Sequence, residues 1–182
     1  LQAASMSGAS APQVAEYVLG MLLALGHRIP QAMKHKARED WPPDRGEIFQ
    51  PQELNQSTIG IVGYGSIGRQ VAKLLSAFGA TVLATKRNAT RPADDGYMLE
   101  GVGDPGGDYL QRLYPAEALN SMLKECDYVV VCVPLTKDSQ GLIGKVELEE
   151  MKAHAYLVDV SRGGVVNHDD LIPALDEGKI AG

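Results

Sequence analysis

The chain has 182 residues, 45% of them apolar and 22% charged, with 17 Lys and Arg against 23 Asp and Glu for a net charge of −6. That size and composition fit one soluble α/β domain with a full core, and the negative balance excludes a nucleic-acid or anionic-membrane partner held by global charge. Cys126 and Cys132 flank an apolar run without CxxC or Cys/His spacing, and His27, His35, His154 and His168 are scattered, so thiol cysteines, no metal site and a cytoplasmic location are expected. No apolar run has spanning length and no signal peptide is visible.

In chain order, Val14, Val18, Met21, Leu22 and Leu25 recur at helical spacing and predict a helix over 12–28, with Ser10 as its N-cap and Pro12 in its first turn. Residues 41–55 are polar and marked by prolines, which reads as a surface connection with Trp41 tucked beneath it. A short β-branched strand over 58–62 leads into a helix over 66–78, whose apolar face carries Ile67, Val71, Leu74, Leu75 and Phe78 and which Gly79 ends. A second buried strand follows over 81–85, so the strand–helix–strand order implies a parallel pair with a right-handed crossover.

Residues 88–114 are rich in glycine and acid and read as a long surface excursion. Pro115 opens a short helix to Lys124, and residues 127–133 form an all-apolar strand of the kind buried on both faces, stopped by Pro134. A helix over 145–151, a strand over 155–160 and a last helix with Asn167 as N-cap and Asp170 three residues on complete the pattern. The fold class is α/β, a doubly wound parallel sheet of Rossmann type.

The first strand–helix turn reads Gly63-Tyr64-Gly65-Ser66-Ile67-Gly68, a GxGxxG in the strand-to-helix context that the motif requires. Gly63 permits the tight turn, Gly65 the approach of a pyrophosphate, and Gly68 close packing of helix on strand. The N–H groups of Ser66 and Ile67 would face the phosphates from the positive end of the helix. The bland alternative is a glycine-rich turn without ligand.

An acid is expected roughly 20 residues on, where it would hold a ribose hydroxyl. Lys86 stands eighteen positions after Gly68, followed by Arg87, with Arg91 close behind. Two cations attract a 2′-phosphate instead, so NADP(H) is the expected cofactor, with NAD(H) as the other candidate. A solvated basic turn, screened by Asp94 and Asp95, is the competing explanation of the same residues.

"VAEYVLGMLLAL", "TIGIVGYGSIGRQVA", "CVPLTKDSQGLIG" and "LVDVSRGGVVNHDDLIPALDEGKIAG" occur in that order over nearly the whole chain outside 88–114. Together they resemble the D-isomer-specific 2-hydroxyacid dehydrogenases. The resemblance implies that Arg162 binds the substrate carboxylate and polarises the 2-oxo group, chemistry suited to a permanent planar cation; a surface ion pair is the alternative role for Arg162. It further implies that Val133 and Pro134 line the adenosine side of the cofactor and that Val160 lies near the nicotinamide. Ser10 stands where the family often has an Asn close to substrate, and Asp159 replaces another family Asn without an evident reason. A basic pair like Lys86 and Arg87 is carried by members that reduce glyoxylate or hydroxypyruvate with NADPH, whereas NAD-using members usually carry an Asp there.

The family's acid/base His and its partner Glu correspond to positions beyond Gly182, and the first part of its substrate domain to positions before Leu1. Neither His154 nor His168 fits that role. The expected organisation is therefore a hinge and dimerisation helix over 1–30 and a dinucleotide-binding domain over 31–182, part of a longer homodimeric enzyme that acts on a small 2-oxo or 2-hydroxy acid, with the chain alone inactive. The competing function is a non-enzymatic, dinucleotide-responsive module like the C-terminal binding protein corepressors. A short-chain dehydrogenase is excluded because no Tyr is followed four residues later by Lys.

Overall fold

The computed structural model describes Met6 and residues 8–94 and 96–182. Five parallel strands form one sheet: β1 Thr58–Val62, β2 Thr81–Lys86, β3 Arg112–Pro115, β4 Tyr128–Val131 and β5 Tyr156–Asp159, in the spatial order β3-β2-β1-β4-β5. The helices are α1 Ala11–Gly26, α2 Ile29–Ala37, α3 Arg45–Ile48, α4 Ser66–Ser76, α5 Leu119–Leu123, α6 Lys145–Glu150 and α7 His168–Asp176.

Side chains alternate across the sheet, and the apolar runs supply both faces. Ile59, Ile61, Tyr128 and Val130 meet Ala15, Val18 and Leu22 of α1 and Val71, Ala72 and Leu75 of α4. Val62, Val129 and Val131 point the other way, onto Leu119, Met122 and Leu123 of α5 and Leu148 of α6. Each such fully buried aliphatic side chain contributes on the order of 1.5–3 kcal/mol. Gly60 is needed at the centre of β1, because a Cβ there would sit 2.5 Å from the Cys126 sulfur and 3.1 Å from the Met122 methyl.

The alternation of strands and helices is as expected, and most boundaries agree to within one or two residues. Four features differ. The excursion ends inside the sheet: Arg112–Pro115 pairs with β2 as the edge strand β3, and the helix expected at Pro115 starts as a 3-10 turn over Ala116–Ala118. Proline is tolerated there because it is the last residue of an edge strand. Helix α1 stops at Gly26, and Arg28 adopts a left-handed conformation (φ 55°) that turns the chain into the unforeseen α2. Trp41 is not tucked in but 74% exposed, leaning on Phe49 at 6.4 Å. Asn167 caps α7 by accepting the Asp169 N–H, yet the Asp170 carboxylate accepts from the Asn167 side-chain amide and not from the Asn167 backbone N–H.

The amino ends of three strands converge on Asp127, just before β4. Its carboxylate accepts the Thr58 N–H at 2.8 Å, the Lys152 ammonium at 2.8 Å and His154 Nε2 at 2.9 Å, while its backbone bonds Thr58 and Tyr156. Desolvation pushes the Asp127 carboxyl up, but the bonds from Lys152, Thr58 and His154 outweigh it and hold the group below the usual carboxylate range. A depressed folded-state pKa gives stability that is present above the unfolded pKa and lost as pH falls through the folded one. Asp127→Ala should therefore lose about 1–3 kcal/mol in urea unfolding at neutral pH. The deficit against wild type should shrink below about pH 4, as the carboxylate of the wild-type chain is protonated.

Candidate functional site

The strand order reverses direction between β1 and β4, which opens a crevice at their carboxyl ends, the place where doubly wound sheets bind ligands. A cleft of about 670 Å³ occupies that crevice, floored by Gly63, Gly65, Val133 and Pro134 and rimmed by Lys86 and Arg87. Its depth comes from the glycine turn. Gly63 is left-handed (φ +103°), and a Cβ on it would lie 2.6 Å from Val133 Cγ1. The turn is pinned to β2 by the Gly63 N–H on Thr85 Oγ1 at 3.3 Å and the Tyr64 N–H on the Thr85 carbonyl at 3.0 Å.

Gly68 holds α4 down: a Cβ there would overlap the Gly63 carbonyl and come within 2.9 Å of Ile61 Cγ2. Gly65 is different. It is extended (φ −96°) and caps α4, and a Cβ on it would meet nothing within 4 Å, because the position faces the open cleft. Among the described residues, no side chain caps this helix end. The Ser66 and Ile67 N–H groups lie in the first turn of α4, where helical N–H groups have no intrahelical partner and the helix dipole favours an anion.

Val133 and Pro134 form an apolar part of the cleft wall, stiffened by Ser139, whose hydroxyl donates to the Pro134 carbonyl at 2.6 Å and accepts the Thr136 N–H at 2.8 Å. Beneath the turn, Cys132 donates to the Gly63 carbonyl at 3.0 Å; burial, reinforced by the nearby Asp159 charge, pushes its thiol up to about 12, so it stays protonated.

The cation pair is only partly available. Lys86 spends two of its three donors on the carbonyls of Arg91 and Ala93, at 3.1 and 3.2 Å, which folds the following loop back over the end of β2. Arg87 is exposed at the rim.

Val160, Arg162 and Ser10 do not line this cleft. Val160 is half-buried past β5, its N–H on the Val131 carbonyl. Arg162 is exposed on the turn after β5 and donates to the Ser161 carbonyl at 2.7 Å. Asp159 now has a role: its carboxylate accepts the Ser161 N–H at 2.9 Å and the Ser161 hydroxyl at 2.5 Å, which shapes the turn that carries Arg162. Ser10 occupies the N-cap position of α1, but its side chain makes no cap bond, so the capping role expected of it is not realised. None of the four histidines lines the cleft, and His154 is bound to Asp127 at the opposite end of the strands.

One cluster escapes sequence inspection. Arg69, the residue after the last glycine of the motif, is fully buried, with its guanidinium 4.4 Å from the Tyr64 ring. It donates to the carbonyls of Asp104 and Pro92. The buried Asp104 carboxylate accepts the Tyr64 hydroxyl and the N–H groups of Gly107, Asp108 and Tyr109. Burial, and then the bond to Asp104, push the Tyr64 phenol upward, so it remains a donor. The only signals for this cluster were an arginine directly after the last glycine of the motif and a "GDPGG" turn.

Residues 19–182 match the family model of the D-isomer specific 2-hydroxyacid dehydrogenase NAD-binding domain. The chain belongs to this family. Among curated relatives, it is 34% identical over 172 residues to a D-3-phosphoglycerate dehydrogenase of Methanocaldococcus jannaschii, covering 94% of this chain and 30% of that one. It is also 34% identical to a glyoxylate reductase of Thermococcus gammatolerans, over 92% of this chain and 47% of the other. The chain thus spans about half the length, or less, of the curated relatives it matches. Two solved structures resemble it over nearly its whole length. A D-lactate dehydrogenase from Treponema pallidum has TM-score 0.77 at 28% identity, over 95% of this chain and 46% of its own. An NAD-dependent formate dehydrogenase from Staphylococcus aureus, in complex with NAD, has TM-score 0.78 at 26% identity, over 97% and 48%. Among the described residues, no helix is long and apolar enough to cross a membrane.

Gly68→Ala should be the most disruptive single change in the turn, because neither the Gly63 carbonyl nor Ile61 can yield without lifting α4 from β1. Overpacking of this kind costs about 1–3 kcal/mol. Thermal melting of the variant should show the loss, with Ser66→Ala, on the same turn, as a near-neutral control.

Proposed function

We propose that the cleft binds NADPH in preference to NADH, and that the protein reduces a small 2-oxo acid of the glyoxylate or hydroxypyruvate kind. The observation that carries the cofactor assignment is the rim: Lys86 and Arg87 stand at the end of β2, where an acid would be needed to hold a free 2′-hydroxyl. The cleft suits a dinucleotide because Gly65 faces open space at an uncapped helix start, beside the apolar wall of Val133 and Pro134. Gly63, Gly65, Ser66, Ile67 and Gly68 would cradle the pyrophosphate, Arg87 and the remaining Lys86 donor the 2′-phosphate, and Val160 the neighbourhood of the nicotinamide.

Bound NADPH supplies the hydride. Arg162 forks the substrate carboxylate and stabilises the negative charge that develops on the 2-oxo oxygen. Ser10, its hydroxyl not used in capping, offers a hydrogen bond to the same substrate. A longer enzyme would add the acid/base pair, since no histidine lines the cleft. The exposed Tyr17 and Ile29 fit the role of the first 30 residues as a hinge and homodimer element. Such a protein would work in the cytoplasm.

Three measurements test this reading. NADPH should bind at least tenfold more tightly than NADH at low salt, and Arg87→Ala should remove about tenfold of NADPH affinity while leaving NADH nearly unchanged. Equal or tighter NADH binding by the wild type would refute the assignment. In the full-length protein, Arg162→Ala should abolish NADPH oxidation by glyoxylate and hydroxypyruvate without changing the dissociation constant for NADPH. Gly65→Ala should melt like wild type, because its Cβ has room, yet bind dinucleotide at least tenfold more weakly.

A further inference from the structure

Residues 88–111 are docked along one face of α4. Ser66, Arg69, Gln70 and Lys73 follow one another at helical spacing, and the last three hold the excursion. Gln70 Oε1 accepts the Gly103 N–H at 2.5 Å, the Lys73 ammonium donates to the Gly101 carbonyl, and Arg69 donates to the carbonyls of Pro92 and Asp104. At the start of that helix the excursion also passes close to Ser66, since a Cβ on Gly8 would lie 3.2 Å from the Tyr97 carbonyl and 3.4 Å from Ser66 Oγ. Lys86 meanwhile grips Arg91 and Ala93. Residues 91–93 are thus held at successive carbonyls by a cation from β2 and a cation from α4.

The next residue is the important one. Asp94 lies on the wall of the dinucleotide cleft, in company with Lys86, Arg87 and Asn88, and its side chain is 34% exposed. One of its oxygens accepts the Gly96 N–H at 2.9 Å. The other lies 3.5 Å from Arg69 Nε, which is buried and makes no directed hydrogen bond, so the contact is ionic. The excursion therefore returns a carboxylate to the rim from which the end of β2 has lost one, and a fully buried arginine stands behind it.

We propose that Arg69 and Asp94 form a specificity-determining pair, in which Arg69 acts as a positioning residue: it holds the Asp94 carboxylate back and offsets its charge, so that the rim formed by Lys86 and Arg87 accepts a 2′-phosphate. This rests on the NADPH reading above. An unrestrained carboxylate at this place would repel a phosphate dianion and accept a ribose hydroxyl, the two effects that favour NADH. Arg69 sits under the turn and behind the wall, so it reaches the cofactor only through Asp94 and the loop.

The test is the ratio of NADH to NADPH dissociation constants in the full-length protein, measured for Arg69→Gln, Asp94→Asn and the double variant. Arg69→Gln should lower the ratio at least tenfold, with NADH affinity within about threefold of wild type. Asp94→Asn should raise it about three- to tenfold, and the double variant should stay within about threefold of Asp94→Asn, because without the carboxylate Arg69→Gln has nothing left to release. A role confined to clamping the loop predicts something else: Arg69→Gln weakens both cofactors alike and Asp94→Asn rescues nothing, which would overturn the proposal. Where Arg69→Gln does not fold, Asp94→Asn decides alone, and an unchanged ratio refutes the pair. A wild type that prefers NADH would defeat the NADPH reading, while the direction of the variant shifts would still judge the pair.

Discussion

The approach of Gly68 to the Gly63 carbonyl, closer than any side chain would permit, is the constraint on which the rest of the site depends. It brings the first turn of α4 down beside the end of β1, so that the helix start opens into the crevice between β1 and β4. The same approach aligns the polar face of α4 with the loop after β2. The glycine turn and the approach of the loop after β2 are therefore tied to one backbone contact.

A buried guanidinium is tolerated here because it is served mainly by backbone carbonyls and an aromatic face, with a carboxylate only in loose ionic contact. Stripping a cation of water is expensive unless each donor is met. Arg69 meets most of that demand with carbonyls that are far apart in sequence, at Pro92 and Asp104, leaves Nε to the charge of Asp94, and in doing so closes the excursion into a loop. Asp104 does the complementary job from the other side, gathering three N–H groups and the Tyr64 hydroxyl onto one carboxylate. Two opposite charges, each satisfied chiefly by peptide groups, take the place of the apolar core that a glycine-rich segment lacks.

Much of this was legible in the sequence, and the reasons are specific. The central strands are short, apolar and β-branched, and the GxGxxG has a fixed place in a strand–turn–helix unit, so Gly63 and Gly68 make the tight turn and the close helix packing that the motif predicts. Strand β3 was hidden because four residues, Arg-Leu-Tyr-Pro, carry little alternation and end in a residue that strands avoid. Trp41 misled because a lone tryptophan is usually covered. The partial occupation of Lys86 and the meeting of Arg69 with residues 92–104 are long-range or loop-dependent contacts, and periodicity does not report them. Likewise, the link from Asp159 to Ser161 is a local turn that only the coordinates bring out.

The strands carry their two duties at opposite ends. At the amino ends Asp127 ties β1, β4 and β5 together through ions and peptide groups, while the carboxyl ends hold the cleft. Between β2 and β3 lie residues 87–111, both of whose ends are fixed by neighbouring strands in the sheet. Loop closure grows only slowly with length, by about 0.6 kcal/mol for each doubling. Segments of very different length can therefore span that gap without disturbing the sheet. If the rim sets cofactor choice as proposed, the part of it that Asp94 contributes is a detachable trait, one that exchange of a single segment can rewrite while the paired strands inherit no change.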